Sequence, residues 1–367
     1  MSSPPSSTPT PPPNDTLLVS SISAQTFTHA LLTAHSVPST HATIIAHCLV
    51  SADLRGVDSH GINRLPSYLS RVRTGSLNPL STPTLTQITP AIARVNGHNG
   101  FGFVSAHLGM QTAITMASTM GIGMVSIHAS NHFGMSASFI QQALDANMLS
   151  LVFTNSSPAM PVWGGKEKIL GVSPIAAGAP ASEGNVPFIL DIAPSVVARG
   201  KVHKAARRGE EIPRGWAVDK EGRETTDPVK ALDGGSMVPM GGPKGVGLAI
   251  MMDVFSGVFS GSAFAGDVVG PYDTENPREA DVGHFMVAMR PDLWMDMEEF
   301  KKRLEVLYQR VVGSEKVEGV ERVYFPGEIE WEMEKRRKVE GIPYTRGEIE
   351  MLNREADKVG VAYIEVL

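Results

Sequence analysis

The sequence predicts a mixed α/β protein without the Rossmann-type, doubly wound dinucleotide fold. Three observations carry that expectation. Apolar residues recur at helical spacing over residues 21–74. Between residues 84 and 266, short strand-like runs alternate with helical ones. No Gly-x-Gly-x-x-Gly follows a strand and opens a helix, since Gly121-Ile122-Gly123 lacks the third glycine and precedes a strand. A phosphate-binding P-loop is absent too, so any nucleotide cofactor must be held in another way.

The elements follow in order. The first thirteen residues are Met, Ser, Thr and Pro, with no apolar run and no Lys or Arg. Such a tract is no secretory signal and cannot bury enough apolar surface to fold. A disordered arm is therefore expected over residues 1–18. Ser39 and Thr40 can cap a helix with Ile44, Ile45, Cys48, Leu49 and Leu54 on its apolar positions. Gly56 can end it in the left-handed conformation. A second helix is expected over 62–73. Strands are expected at 122–127, 149–153, 175–179 and 188–191, and helices at 103–120 and 136–146. The charged stretch 201–227 reads as surface structure. The apolar run 245–264 carries Asp253 near its middle, which a membrane span would rarely tolerate, so it reads as a buried core helix. A strand at 285–289, an amphipathic helix at 297–311, the turn Pro326-Gly327-Glu328 and two polar helices complete the chain. No internal repeat occurs.

Composition narrows the function classes. The chain has 367 residues, 42% hydrophobic and 19% charged, with a formal net charge of −6. That length fits roughly two or three domains. The acidic balance argues against a nucleic-acid partner, which requires a basic surplus. The single cysteine, Cys48, excludes a disulfide within the chain and fits a small buried side chain in a reducing compartment. A cytoplasmic protein without a membrane span is expected.

Four constellations can carry chemistry. Asp58-Ser59-His60-Gly61-Ile62-Asn63-Arg64 lies between two predicted helices. Histidine exchanges protons near neutral pH, and an arginine fork binds a carboxylate in bidentate fashion. A proton donor beside a carboxylate clamp is what reduction of a 2-keto acid requires; a capping serine and a surface histidine would look the same. His128-Ala129-Ser130-Asn131-His132-Phe133-Gly134 follows a strand, where site residues concentrate. Its histidines stand four apart, yet no third ligand lies nearby, so no metal is expected. A catalytic or substrate-binding His132 and a core histidine both remain open. Thr154-Asn155-Ser156-Ser157-Pro158 offers amide and hydroxyl groups to a substrate, or forms a plain turn. Met240-Gly241-Gly242-Pro243-Lys244-Gly245 precedes the long apolar helix, where free N–H groups and a lysine suit a phosphate; a solvated glycine-rich loop is the alternative.

Taken together, these segments resemble a family. The ordered matches run from Asp53-Leu54-Arg55-Gly56 through Ser59-His60-Gly61 to Arg64, then Ser130-Asn131-His132-Phe133-Gly134 and Pro161-Val162-Trp163-Gly164-Gly165. They continue through Leu190-Asp191-Ile192-Ala193, Ile212-Pro213-Arg214-Gly215-Trp216-Ala217, Thr226-Asp227-Pro228, Lys244-Gly245-Val246-Gly247-Leu248, Gly283-His284-Phe285 and Pro326-Gly327-Glu328. The chain resembles the malate/L-lactate dehydrogenase family that is unrelated to the Rossmann-type enzymes of those names. Ureidoglycolate dehydrogenase, 2,3-diketo-L-gulonate reductase, sulfolactate dehydrogenase and Δ1-piperideine-2-carboxylate reductase belong to it. The resemblance implies a helical domain built from both chain ends, here residues 19–80 and 284–367. It also implies a central NAD(P)-binding α/β domain with a largely antiparallel sheet, here 81–283.

By the same resemblance, His60 is the proton donor with Ser59 and Arg64 beside it, and His132 has acid/base duty. Ser156 contacts substrate, as Asn155 beside it can. The cofactor, NAD or NADP, is met by Asp191, Ala193 and Ser195, by Pro243, Lys244 and Gly245, and by Pro326, Gly327 and Glu328. The implied reaction interconverts a 2-hydroxy acid and a 2-keto acid in a homodimer. Reduction of a cyclic imino acid, a non-catalytic metabolite-binding relative, and a metal-dependent lyase or hydrolase using His128 and His132 are the competing readings. The chain departs from the family's usual text at Gly171-Val172-Ser173-Pro174, at Pro243 and at His128, which bears on substrate and cofactor preference.

Overall fold

The computed structural model describes residues 15–271, 273 and 277–367, apart from the side chains of Arg207 and Arg208. Its first element corrects the extent of the expected arm. β1 (Thr16–Val19) pairs antiparallel with residues 342–345, so 16–18 are not disordered. Val19 is fully buried, and β-branched or apolar side chains here favour a strand. The rest of that expected arm, 1–14, lies outside the described residues.

α1 (Ser21–Ala34) starts at Ser20, whose side chain accepts the Ser23 N–H. α2 (Ser39–Leu54) begins after Pro38 without a side-chain cap, so Ser39 and Thr40 sit inside its first turn instead of capping it. Gly56 ends the segment at φ 76°, as expected of a residue without Cβ. The helix expected over 62–73 is split. Two 3-10 turns, Asp58–His60 and Ile62–Arg64, precede α3 (Leu65–Arg73). Pro66 has no N–H to give the Ile62 carbonyl, so an α-helix cannot start at 62.

The middle of the chain follows with β2 (Thr84–Thr89), β3 (Ile92–Asn96), α4 (Gly102–Met120), β4 (Ile122–Ser130), α5 (Ala137–Asp145) and β5 (Leu149–Thr154). A hairpin of β6 (Pro158–Pro161) and β7 (Lys168–Gly171) leads to β8 (Ile175–Ala179) and β9 (Phe188–Ile192). Next come α6 (Arg199–Arg208), β10 (Ala217–Val218), β11 (Glu224–Thr225), α7 (Pro228–Leu232) and β12 (Ser236–Met237). This charged stretch is more than surface cover, because Val202, Ile212, Ala217 and Met237 bury together with Met160 and Leu170 in a core of their own. α8 (Pro243–Asp253) and β13 (Val282–Met289) precede α9 (Met297–Val312), α10 (Glu328–Glu340), β14 (Ile342–Thr345) and α11 (Arg346–Asp357).

The main sheet has seven strands in the order β2-β3-β4-β13-β5-β8-β9. Every neighbouring pair is antiparallel except β3 with β4. β13 corrects the expected boundary at residue 284. It pairs on both edges, with His284 opposite Ile127 on one side and Thr154 on the other, so it is an interior strand of the sheet. Its unbroken apolar text is that of a strand buried on both faces.

α4 and α5 cover one face of the sheet, where Phe103, Met110, Ile127, Phe139 and Met286 join the largest core. α8 covers part of the other face through Met252 against Phe153, Phe285 and Val287. The expected buried core helix over 245–264 is corrected here too. The α-helix stops at Asp253 and continues as a π-helical turn, Val254–Val258. Ile250, Val254, Phe255, Val258, Phe259 and Phe264 remain exposed. The run is apolar all round, yet this chain covers only one of its faces. No helix among the described residues is long and apolar enough to cross a membrane.

Candidate active site

The first histidine is held from behind by a buried carboxylate. Asp53, inside α2, accepts the Ile62 N–H at 2.9 Å and the Tyr344 hydroxyl at 2.7 Å. Arg337 of α10 holds the Asp53 carbonyl and reaches Asp58 at 2.7 Å. A Cβ on Gly61 would lie 1.6 Å from the Asp53 carboxylate, so only glycine lets the chain pass this close. The segment 58–64 is thereby pinned with His60 and Arg64 turned to the other side.

On that side Ser59 Oγ lies 2.9 Å from His60 Nδ1, and Arg64 Nε donates to the Ser59 carbonyl at 2.6 Å. The second histidine comes from the turn after β4. Asn131 fixes that turn by donating to Asn99 Oδ1 at 3.0 Å and to the Gly100 carbonyl at 2.9 Å. His132 Nδ1 meets the Tyr68 hydroxyl at 2.7 Å and the Gly134 N–H at 3.3 Å. The His60 and His132 rings stack with centroids 5.6 Å apart and planes at 23°. Burial, reinforced by Arg64, pushes His60 down to about 3. Burial, then Arg64, His60 and His284, hold His132 well below its ordinary value. Burial and Arg64 thus favour the uncharged form of both rings.

These residues line one cavity of about 570 Å³. Of the residues singled out in the sequence, Ser59, His60, Arg64, His132, Asn155, Ser156, Asp191, Ala193, Pro326 and Gly327 lie in its wall. Ser156 is in the wall too, but its Oγ is buried against Gly171 and has no hydrogen-bond partner among the described residues. Asp191 accepts the Ala137 N–H at the start of α5 at 2.8 Å, while burial pushes its carboxyl up to about 6. The wall is mainly apolar, with a few polar side chains converging on it.

Other expected residues are elsewhere. Asn155 reaches the wall, but its amide clamps the scaffold, donating to the Ala263 carbonyl at 2.7 Å and accepting the Gly283 N–H at 3.0 Å. Glu328 is turned away and buried, held by Tyr308 at 2.7 Å, by Arg322 at 2.5 Å and by the Phe325 N–H at 2.8 Å; Glu330 lines the cavity instead. Ser195 Oγ donates to the Val197 carbonyl at 2.8 Å and is not in the wall. Pro243 and Lys244 are exposed on the first turn of α8, and Gly245 packs against the Pro194 carbonyl. His128 lies in β4, outside the cavity wall. Among the described residues no group of three His, Cys, Asp or Glu side chains could hold a metal ion.

Sequence reasoning missed two contributors. Tyr68, on α3, meets His132 only through the fold, and no spacing in the sequence signals that contact. His284 is fully buried behind His132, between Thr154 Oγ1 at 2.7 Å and Ser130 Oγ at 3.0 Å, and it stacks on Phe133.

The malate/L-lactate dehydrogenase family model matches residues 19–353. The chain belongs to this family. It is therefore a dehydrogenase. L-Sulfolactate dehydrogenase of Methanocaldococcus jannaschii is 38% identical over 90% of the chain and 94% of the relative. The solved malate dehydrogenase of Pyrococcus horikoshii superposes with a TM-score of 0.88 at 32% identity, over 96% of the chain and 98% of that structure. Two further relatives carry a cofactor in their names. (2R)-3-Sulfolactate dehydrogenase (NADP(+)) of Chromohalobacter salexigens is 35% identical over 82% of the chain and 88% of the relative. Ureidoglycolate dehydrogenase (NAD(+)) of Escherichia coli O157:H7 is 35% identical over 82% and 85%.

Proposed function

We propose that the chain interconverts a 2-hydroxy acid and its 2-keto acid with NAD or NADP in the cavity that holds His60 and His132. The observation that carries this reading is the stacking of two buried imidazoles 5.6 Å apart in a cavity wall that also holds Arg64. Arg64 binds the substrate carboxylate. Its Nε is already fixed on the Ser59 carbonyl, so the fork is oriented before substrate arrives. Ser156, in the same wall, is a further substrate contact. A nicotinamide bound there would supply or take the hydride at C2, and the protein handles the proton on the adjacent oxygen.

Asp191, Ala193, Pro326 and Gly327 form the cofactor wall within the cavity. Lys244 and the N–H groups opening α8 extend that track outward, because Met240 N–H donates to the Pro194 carbonyl at 2.8 Å and ties this helix start to the 191–197 segment. A helix N-terminus with a lysine suits phosphate. Glu328 acts on the cofactor only through the turn it holds. The cofactor-binding domain, with its largely antiparallel sheet, is a solution to dinucleotide binding distinct from the doubly wound fold. The exposed apolar face of Ile250, Val254, Phe255, Val258 and Phe259 supports a homodimer. The buried lone Cys48 supports a cytoplasmic location.

The test is a spectrophotometric screen of NADH and NADPH oxidation against 2-keto acids and cyclic imino acids, and of the reverse reaction with 2-hydroxy acids. Turnover of a 2-keto acid is the expected result. Binding of neither cofactor at millimolar concentration would remove the oxidoreductase reading, and turnover of imino acids alone would replace the substrate class.

A further inference from the structure

We infer that the site selects a 2-keto or 2-hydroxy acid whose substituent on C2 is an uncharged alkyl group, and that Arg71 is the positioning residue that holds the wall which selects it. The inference rests on the proposed reaction and names its substrate class. Arg71 lies on α3 one turn after Tyr68, on the same face of that helix. It is 2% exposed and belongs to the cavity wall. Its Nη1 donates to the Gly270 carbonyl at 3.3 Å. Its Nη2 donates to the carbonyls of Ser76 at 3.3 Å and Arg278 at 3.0 Å. One buried guanidinium thus gathers three separate stretches of backbone. Asn99 Nδ2 donates to the same Ser76 carbonyl at 3.1 Å, while its Oδ1 accepts from Asn131 at 3.0 Å. That shared carbonyl ties the clamp to the turn that carries His132.

The clamp holds an apolar surface. Val268, Val269 and Pro271 flank Gly270, Ala280 and Val282 follow Arg278, and Leu77 follows Ser76; all six line the cavity. Val268, Ala280 and Val282 pack together with Ala263. Val282 pairs with Ser130 across the sheet, two residues before His132, so this wall stands beside the second histidine. With the substrate carboxylate on Arg64 and C2 at the histidines, the remaining substituent on C2 meets this wall. An alkyl group is buried there at no polar cost. A second carboxylate or sulfonate would be stripped of water against hydrophobic side chains, beside Nη groups already bonded to carbonyls. Asp273, whose charge reaches Arg71, would repel it further. The cavity's other arginines serve elsewhere. Arg55 pairs with Glu334 at 2.9 Å, and the charge of Arg199 acts on Lys168 of β7 and on neither histidine.

The test compares kcat/KM for a graded series of alkyl 2-keto acids with that for 2-keto acids of matched length ending in carboxylate or sulfonate. The alkyl acid should exceed its anionic counterpart by about 100-fold or more, and each added methylene should gain about tenfold until the wall is filled. An anionic substrate that equals or exceeds the alkyl one overturns the substrate class. Failure of the underlying reaction looks different, because no 2-keto acid of either kind is then turned over, and the inference falls with it. Arg71→Lys keeps the charge but cannot hold three carbonyls. It should raise KM for the alkyl acid more than it lowers kcat, and shrink the alkyl-over-anionic ratio by about tenfold. NADH affinity, read by fluorescence titration, should stay unchanged. A loss shared equally by all substrates, with the ratio intact, would reduce Arg71 to a structural residue and overturn its part. Val269→Ala leaves the clamp in place and serves where the Arg71 variant does not fold. It should move the optimum to a longer alkyl chain, and an unmoved optimum would place the substituent against another wall and overturn the inference.

Discussion

Deleting the Asp53 carboxylate tests whether the His60 segment is held from behind. In the intact protein this 1%-exposed group accepts Ile62 N–H at 2.9 Å and the Tyr344 hydroxyl at 2.7 Å. Asp53→Ala leaves both donors buried without an acceptor. An orphaned buried donor costs about 1–3 kcal/mol, so the pair costs about 2–6 kcal/mol. Against this, the variant no longer desolvates a carboxyl, so the expected net loss is about 2–4 kcal/mol. Urea denaturation read by tryptophan fluorescence measures it as a lower midpoint at unchanged slope. Tyr344→Phe removes one donor and leaves the other bond, so it should cost only about 0.5–1.5 kcal/mol. The double variant should fall short of the sum, because the two residues share one contact. An unchanged midpoint in Asp53→Ala would refute the argument that this carboxylate pins the segment. A pH signature accompanies it. Burial pushes the Asp53 carboxyl up to about 8. The unfolded chain releases that proton near about 3.9. Between these values the folded chain binds the extra proton, so this group's contribution to stability falls as pH rises from about 4 to about 8 and then levels. Asp53→Asn should remove that slope.

Three further outcomes are expected. Arg64→Lys should lower kcat/KM by an amount on the order of 2–5 kcal/mol, because an ammonium cannot reproduce the fork; unchanged efficiency would place the substrate carboxylate elsewhere. His60 and His284 are both held down to about 3 by burial, so the unfolded chain, titrating near 6.5, takes up protons that the native chain refuses. Stability should therefore fall as pH drops through about 6.5 toward about 3, and melting curves of His284→Asn should show a shallower fall. Light scattering should give twice the 39.3 kDa chain mass, with Phe259→Asp shifting the protein toward monomer; a monomer at every concentration would contradict the dimer.

Local sequence made the two histidines legible. His60 stands where one helical pattern stops and another begins, and His132 follows a strand by two residues. Neither signal depends on distant residues. Tyr68 was not legible as a site residue, because a tyrosine on an amphipathic helix reads as core, and its ring does bury against Phe101 and Phe103. Only the tertiary approach of β4 brings its hydroxyl to His132. Glu328 shows the converse. The Pro-Gly-Glu turn is at the cavity as expected, but the carboxylate points back to Arg322 and Tyr308, and no spacing rule gives the direction of a side chain at a turn. β13 failed as a domain boundary for a related reason. Strand runs name their own residues and not their neighbours, and its partners β4 and β5 lie far upstream.

The distant contacts that sequence could not supply are also what makes the cavity one site. Its His60 wall comes from the N-terminal helices, and its Pro326-Gly327 wall comes from the turn before α10. Nothing in the local conformation of either fixes the gap between them. Four ties across the two chain ends do. Asp53 accepts from Tyr344, Arg337 reaches Asp58 at 2.7 Å, Arg55 pairs with Glu334 at 2.9 Å, and Arg73 pairs with Glu355 at 2.8 Å. Of these, the Arg55 and Asp53 contacts are buried, so breaking one strands a polar group and costs more than a surface ion pair gives. The ties therefore act as a gauge. They hold the His60 segment at a set distance from the Pro326-Gly327 turn across the cavity that both line. Closing the chain's two ends is in this sense the step that assembles the cavity, with the turn after β4 supplying His132 and β9 supplying Asp191 on the other side.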